Sequence, residues 1–213
     1  MSARTKHLRV VAVGLAVGLA SASCGEVART GRSPMILVID KIEGASGSTP
    51  GQLGVPLKSD VVTLVKKSVN GKDEQVPTIF NDVGQATLRM VLKDQGAPAV
   101  TATPTLLNAI TVTRYHVEFI RSDGRNVQGV DVPYAFDGGT TATIVGGSSD
   151  VPFEIVRSVA KEEAPLKALA LGGGQVFIAT IAKVTFYGKD LGGNDVEASG
   201  DISVNFADFA DPQ

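Results

Sequence analysis

Strict alternation of apolar and polar residues marks the C-terminal part of the chain. Across residues 196–206, Val196, Ala198, Gly200, Ile202, Val204 and Phe206 share one phase, and Glu197, Ser199, Asp201, Ser203 and Asn205 share the other. A period of two puts successive side chains on opposite faces of a strand, so one face is buried and the other wet. Residues 182–187 repeat the pattern, with Ala182, Val184 and Phe186 against Lys183, Thr185 and Tyr187. Between the two runs, K-D-L-G-G-N-D at 189–195 is turn chemistry, so residues 178–206 are predicted to form one long hairpin. A hairpin with a single apolar face needs a second layer to cover it.

Upstream, residues 35–39 (M-I-L-V-I) form an apolar run of strand length, and residues 44–56 read as a loop. Residues 60–66 (D-V-V-T-L-V-K) read as a strand, followed by the turn pair Asn70-Gly71. Ala86, Leu88, Met90 and Leu92 alternate with Thr87, Arg89 and Val91, giving another strand; residues 95–104 read as loop. Residues 110–121 are the central candidate. Ile110 and Val112 are apolar at even positions, but Tyr115, Val117 and Phe119 at odd ones. A phase change at Thr113-Arg114 requires a bulge, or a strand that leaves one sheet for the other. Residues 130–136, 140–145 and 151–156 are expected as short strands, separated by Asp137-Gly138-Gly139 and Gly146-Gly147.

Residues 158–171 (S-V-A-K-E-E-A-P-L-K-A-L-A-L) are the one helical stretch. Pro165 splits it, and Gly172-Gly173-Gly174 stops it, so one short helix is expected. About nine strands with one short helix predict an all-β fold, an antiparallel sandwich. Glycine, 24 of 213 residues against a usual share of about 7%, fits strands broken by turns.

The N-terminus follows a different pattern. Arg4, Lys6, His7 and Arg9 make a basic start, and residues 10–22 are almost all apolar or small. That length suits a signal-peptide core and is short for a bilayer span. Residues 21–25, S-A-S-C-G, then place the chain's single cysteine, Cys24, where the leader ends. This segment resembles a bacterial lipoprotein signal, in which small residues precede a cysteine that becomes lipid-modified. Ser21 departs from the usual Leu or Val of that family. The resemblance implies acylation of Cys24 and stable membrane attachment, since two or more chains are needed to hold a protein there. An ordinary cleaved leader is the alternative. Gly25, where an aspartate often retains such proteins at the inner membrane, favours the outer membrane or the cell surface. The expected organisation is a signal peptide over 1–23, a tether over 24–34 and a single domain over 35–213.

Without Arg4, Lys6 and Arg9, 17 Lys and Arg face 22 Asp and Glu, a net charge of about −5. That balance argues against nucleic acid as a partner, since phosphate binding needs a basic footprint.

Reactive groups are sparse. His116 is the only histidine past the leader and falls at a polar-phase position between Arg114 and Glu118, as a surface residue would. One histidine and no thiol beyond Cys24 do not make a zinc site within one chain. No G-x-S-x-G elbow accompanies a Ser-His-Asp set. Glu162 and Glu163 are adjacent on the helical stretch and so do not face one another. The glycine runs lack the phosphate-loop signatures. Asp190, Asn194 and Asp195 in the hairpin turn are the candidate calcium ligands, although turns favour these residues anyway. Tyr187, on the wet face near that turn, is the candidate ligand-patch residue. No cofactor is expected.

The segment T-F-Y-G-K-D-L-G-G-N-D-V-E-A-S-G-D-I-S-V-N-F resembles the closing strands of bacterial immunoglobulin-like domains, which carry a D-x-x-G-N type turn between alternating strands. The resemblance implies an immunoglobulin-like sandwich without the antibody type's cysteine pair and tryptophan, and longer than the usual domain of about 100 residues, hence with extra strands. The expected role is a non-enzymatic, lipid-anchored cell-envelope protein that presents this domain for protein interaction or surface structure. The alternative is a carbohydrate- or calcium-dependent ligand-binding module; a carboxylate hydrolase ranks last. The expected partners are the membrane, through lipidated Cys24, and another protein.

Overall fold

The computed structural model describes residues 33–69, 71–93, 104–172 and 177–209. The leader, Cys24, nearly all of the tether and Asn70 of the predicted turn lie outside them. The described residues form ten strands: β1 Met35–Ala45, β2 Leu57–Asp60, β3 Thr63–Val69, β4 Lys72–Thr78, β5 Asp82–Leu92, β6 Ile110–Ile120, β7 Phe136–Ile144, β8 Ser148–Val156, β9 Ile178–Asp190 and β10 Asp195–Ala207. One short helix, α1 Ser158–Glu162, and two 3-10 segments, Leu106–Asn108 and Leu166–Gly172, complete them. The fold is all-β.

A three-stranded antiparallel sheet, β1-β5-β8, packs on a five-stranded sheet, β2-β10-β9-β6-β7. In the larger sheet only the β2–β10 pair is parallel. The order β1-β5-β8 against β10-β9-β6-β7 is consistent with the A-B-E and G-F-C-C′ layout of an immunoglobulin-like sandwich. β3 and β4 form a separate two-stranded hairpin.

The core lies between the two sheets. Phe186 of β9 meets Phe153 of β8 edge to face, with ring centroids 5.3 Å apart, and Tyr115 of β6 packs on both. Phe119 and Phe206 form a second edge-to-face pair at 5.6 Å. Val184, Phe186, Val204 and Phe206 are wholly buried. Removing each such side chain from water contributes about 1.5–3 kcal/mol, so the predicted apolar face of the long hairpin supplies much of the core. Gly200 on that face leaves room for Ile39 and Ile42 of β1, which a Cβ there would touch.

The phase change in the central strand is a bulge. Between Val112 and Arg114, β6 advances two residues while β9 advances one, from Gly188 to Tyr187. Thr113 is the extra residue, and the strand's buried phase shifts from Val112 to Tyr115. The split helix is also present: α1 ends before Pro165, which has no N–H to continue it, and a 3-10 segment follows.

Four expectations require correction. Residues 60–66 are not one strand. Val61 and Val62 are both buried, and the chain passes there from β2 in the main sheet to β3 in the hairpin. β2 and β4 were not expected: β2 has only four residues, and β4 (K-D-E-Q-V-P-T) is mostly exposed and lacks an apolar phase. Residues 130–136 do not form a strand. The amides of Val130, Asp131 and Val132 all donate to the Val127 carbonyl, Gly129 takes φ +75°, and the chain coils there. Asp137-Gly138-Gly139 is not a break but part of β7, where Gly138 lies under the Tyr115 ring and leaves no space for a side chain.

Candidate functional site

The outer face of the five-stranded sheet carries the most concentrated polar chemistry. Strand register sets it out in rows. Glu197 lies opposite Tyr187, and Tyr187 opposite Arg114; in the next row Ser199, Thr185, His116 and Asp137 are aligned. The bulge at Thr113 makes the first row possible, because without the extra residue Arg114 would point into the core. The Arg114 guanidinium lies 3.8 Å from the centroid of the Tyr187 ring. Asp137 Oδ1 is 3.2 Å from His116 Nδ1 and 3.6 Å from Arg114 Nη1. The Lys189 ammonium pairs with Asp195. Between these groups runs a shallow groove of about 250 Å³, lined by Arg114, Tyr187, Lys189, Asp195 and Glu197 among others.

This face offers donors, acceptors and both charge signs over a flat surface, with one aromatic ring already held by a cation. Such a surface suits a polar contact with another protein, in which Arg and Tyr make the strongest anchors. It does not concentrate one sign of charge. His116 pairs with Asp137 at the surface, in keeping with its polar phase in the sequence.

The structure brings Asp190 and Asn194, two of the three candidate calcium ligands, into direct contact and pairs the third, Asp195, with Lys189. Asp190 is buried at the end of β9, and its carboxylate accepts from the Asn194 backbone N–H at 2.8 Å and from Asn194 Nδ2 at 2.9 Å. Burial pushes the Asp190 carboxyl up, but hydrogen bonds from Asn194, Ser33 and Gly192 outweigh it and hold the group below the usual carboxylate range. Asn194 therefore turns its donor end toward Asp190, while Asp195 bonds the Lys189 ammonium. Among the described residues, no group of three or more His, Cys, Asp or Glu side chains comes together as a metal site would require. The geometry reads as a turn clasp: Asp190 holds the loop, and Gly193 supplies φ +77°.

A second polar cluster has no counterpart in the sequence reading. Lys161 Nζ lies 2.7 Å from Asp82 Oδ1 and donates to the Asp60 carbonyl at 2.7 Å. Asp82 also accepts from Ser59 Oγ at 2.5 Å and from the Gly47 N–H at 2.9 Å. Lys161 is 1% exposed and Asp82 0%. Burial raises the Asp82 carboxyl, opposed by the Lys161 ammonium, the Ser59 hydroxyl and the Gly47 amide. The cluster ties α1, β2, the start of β5 and the loop after β1 together, out of reach of any solute. One sequence signal could have found it: Asp82 shares the buried phase of Ala86, Leu88 and Met90. Glu162 and Glu163 beside it are exposed, as expected from their adjacency.

Cys24, the expected acylation site, lies outside the described residues. Among those residues no helix is long and apolar enough to cross a membrane. No family model and no curated protein matches the chain.

Proposed function

We propose that the chain is a non-enzymatic, lipid-anchored protein of the cell envelope whose sandwich presents the β10-β9-β6-β7 face to another protein. The observation that carries the anchor is the single cysteine, placed directly after a basic, then apolar, then small-residue leader. Support for the display role comes from the sheet face itself. Arg114 and Tyr187, on strands paired on both sides, stand in one row with Glu197, and strands hold such residues more precisely than loops do. Lys161 is paired with Asp82 inside and His116 with Asp137 outside, which favours binding over catalysis.

Carbohydrate binding at Tyr187 is the second reading, carried by the groove beside that ring. Arg114 covers one face of the ring, which a sugar would otherwise use, so protein contact is the stronger reading. The test of the anchor is fractionation of Cys24→Ser. We expect loss of membrane association and loss of globomycin-sensitive processing. Unchanged membrane fractionation would remove the anchor from the account.

A further inference from the structure

We propose that one end of the sandwich docks on the lipid surface through Leu106, Leu107, Leu191 and Val145, as a second contact beside the anchor; this rests on acylation of Cys24. Eight residues lie between Cys24 and Ser33, so nine residue steps span at most about 32 Å of extended chain. Ser33 is buried and hydrogen-bonded to Asp190, at the end of β9. The described chain therefore begins at this end of the domain, which stays within about 32 Å of Cys24.

The same end carries apolar side chains that the fold leaves in water. Ile110, the first residue of β6, pairs with Asp190 of β9 on one side and Ile144 of β7 on the other. Leu191 follows Asp190, Val145 follows Ile144, and the segment Leu106–Asn108 precedes Ile110. Neighbouring strands lie about 4.8 Å apart, so these side chains come from three adjacent strand ends. Leu107 is 83% exposed, Leu106 73%, Leu191 64% and Val145 38%. Two adjacent leucines held in water next to the point where the tether enters suit the interfacial region of a bilayer, where apolar tips lodge among acyl chains. Val127 and Val130 are exposed at the opposite end, but the tether does not bring them to the lipid.

The experiment uses the full, lipidated chain in phospholipid vesicles that contain brominated acyl chains. The protein has no tryptophan, so Leu107→Trp and Val127→Trp each introduce a single reporter at an exposed position. Docking predicts that emission from position 107 shifts to the blue and is quenched about twofold or more, with position 127 unaffected. Adding Leu106→Ser and Leu191→Ser should relieve the quenching while the chain stays vesicle-bound. An unquenched position 107 on a chain with acylated Cys24 overturns the docking alone. A blue shift without quenching also overturns it, because another protein surface, such as a second copy, then covers the leucines. Retention of Cys24→Ser in the membrane fraction overturns the anchor, and with it the reason for placing this end at the lipid.

Discussion

Lys161 Nζ and Asp82 Oδ1 lie 2.7 Å apart in a part of the core that water does not reach, joining α1 to the first residue of β5. Removing one partner of such a pair leaves an uncompensated buried charge. Lys161→Met should therefore cost about 3–5 kcal/mol in urea unfolding. Asp82→Asn combined with Lys161→Met removes both charges and keeps one acceptor oxygen for the Gly47 N–H, while the amide NH2 can donate to the Ser59 hydroxyl, so the double variant should recover part of the loss. A Lys161→Met variant within about 1 kcal/mol of the parent would show that the pair is not held as described.

Tyr115 and Gly138 form a second close relationship. The ring lies over the glycine, and its hydroxyl accepts the Glu154 amide at 3.0 Å. Gly138→Ala should force the ring from its place among Phe136, Phe153 and Phe186 and cost about 1–3 kcal/mol. Tyr115→Phe keeps the packing and loses only the hydroxyl, for about 1 kcal/mol. If both variants unfold at the same denaturant concentration, the close approach at position 138 is not what limits this site.

The contrast between these two sites bears on what the chain discloses by itself. The long hairpin was legible because one arm carries an uninterrupted alternation from Val196 to Phe206, and a period of two has a single structural meaning. The bulge at Thr113 was legible for the same reason, since the apolar phase breaks there and nowhere else in β6. β2 and β4 were not legible. Four residues are too few for a period, and the β3–β4 hairpin buries too little apolar surface to need one. Asp137-Gly138-Gly139 looks like a turn because turn residues and a glycine that must fit beneath a tyrosine share the same letters. Tyr187 was placed correctly on the wet face, but its partner Arg114 depends on cross-strand register, which alternation along one strand does not specify. Lys161 reads as part of a solvated K-E-E run, and only Asp82's position in the buried phase of β5 hints at its role.

Acid should report on Asp190. Its folded-state carboxyl titrates below the ordinary value, so its stabilisation is fully present above the unfolded value of about 3.9 and is lost as pH falls through the lower folded value. Asp190→Asn should cost about 1–2 kcal/mol at neutral pH, because hydrogen bonds to a charged acceptor are replaced by weaker ones. The difference in Tm between parent and variant should narrow once the pH drops below about 4. A difference that stays constant down to pH 2 would mean that the carboxylate's charge does not hold the turn. Chelator should not change the parent's Tm, since Asn194 and Lys189 already occupy the oxygens of Asp190 and Asp195.

The sheet face can be tested without disturbing the fold. Arg114 and Tyr187 are partly exposed, and an exposed cation–π contact contributes about 0.5–1 kcal/mol, so Arg114→Glu and Tyr187→Ala should unfold close to the parent. Their effect on partner contact should be larger. Arg and Tyr anchors at an interface centre are worth about 2 kcal/mol or more, about 30-fold in affinity. A photo-crosslinking residue at Ser199, in the row beside Tyr187, should yield an adduct in intact envelopes that Arg114→Glu abolishes. The same probe at Val83, exposed on the other sheet, should yield none. Equal adducts from the two positions would indicate chance encounters, and an adduct from Val83 alone would move the contact surface to β1-β5-β8.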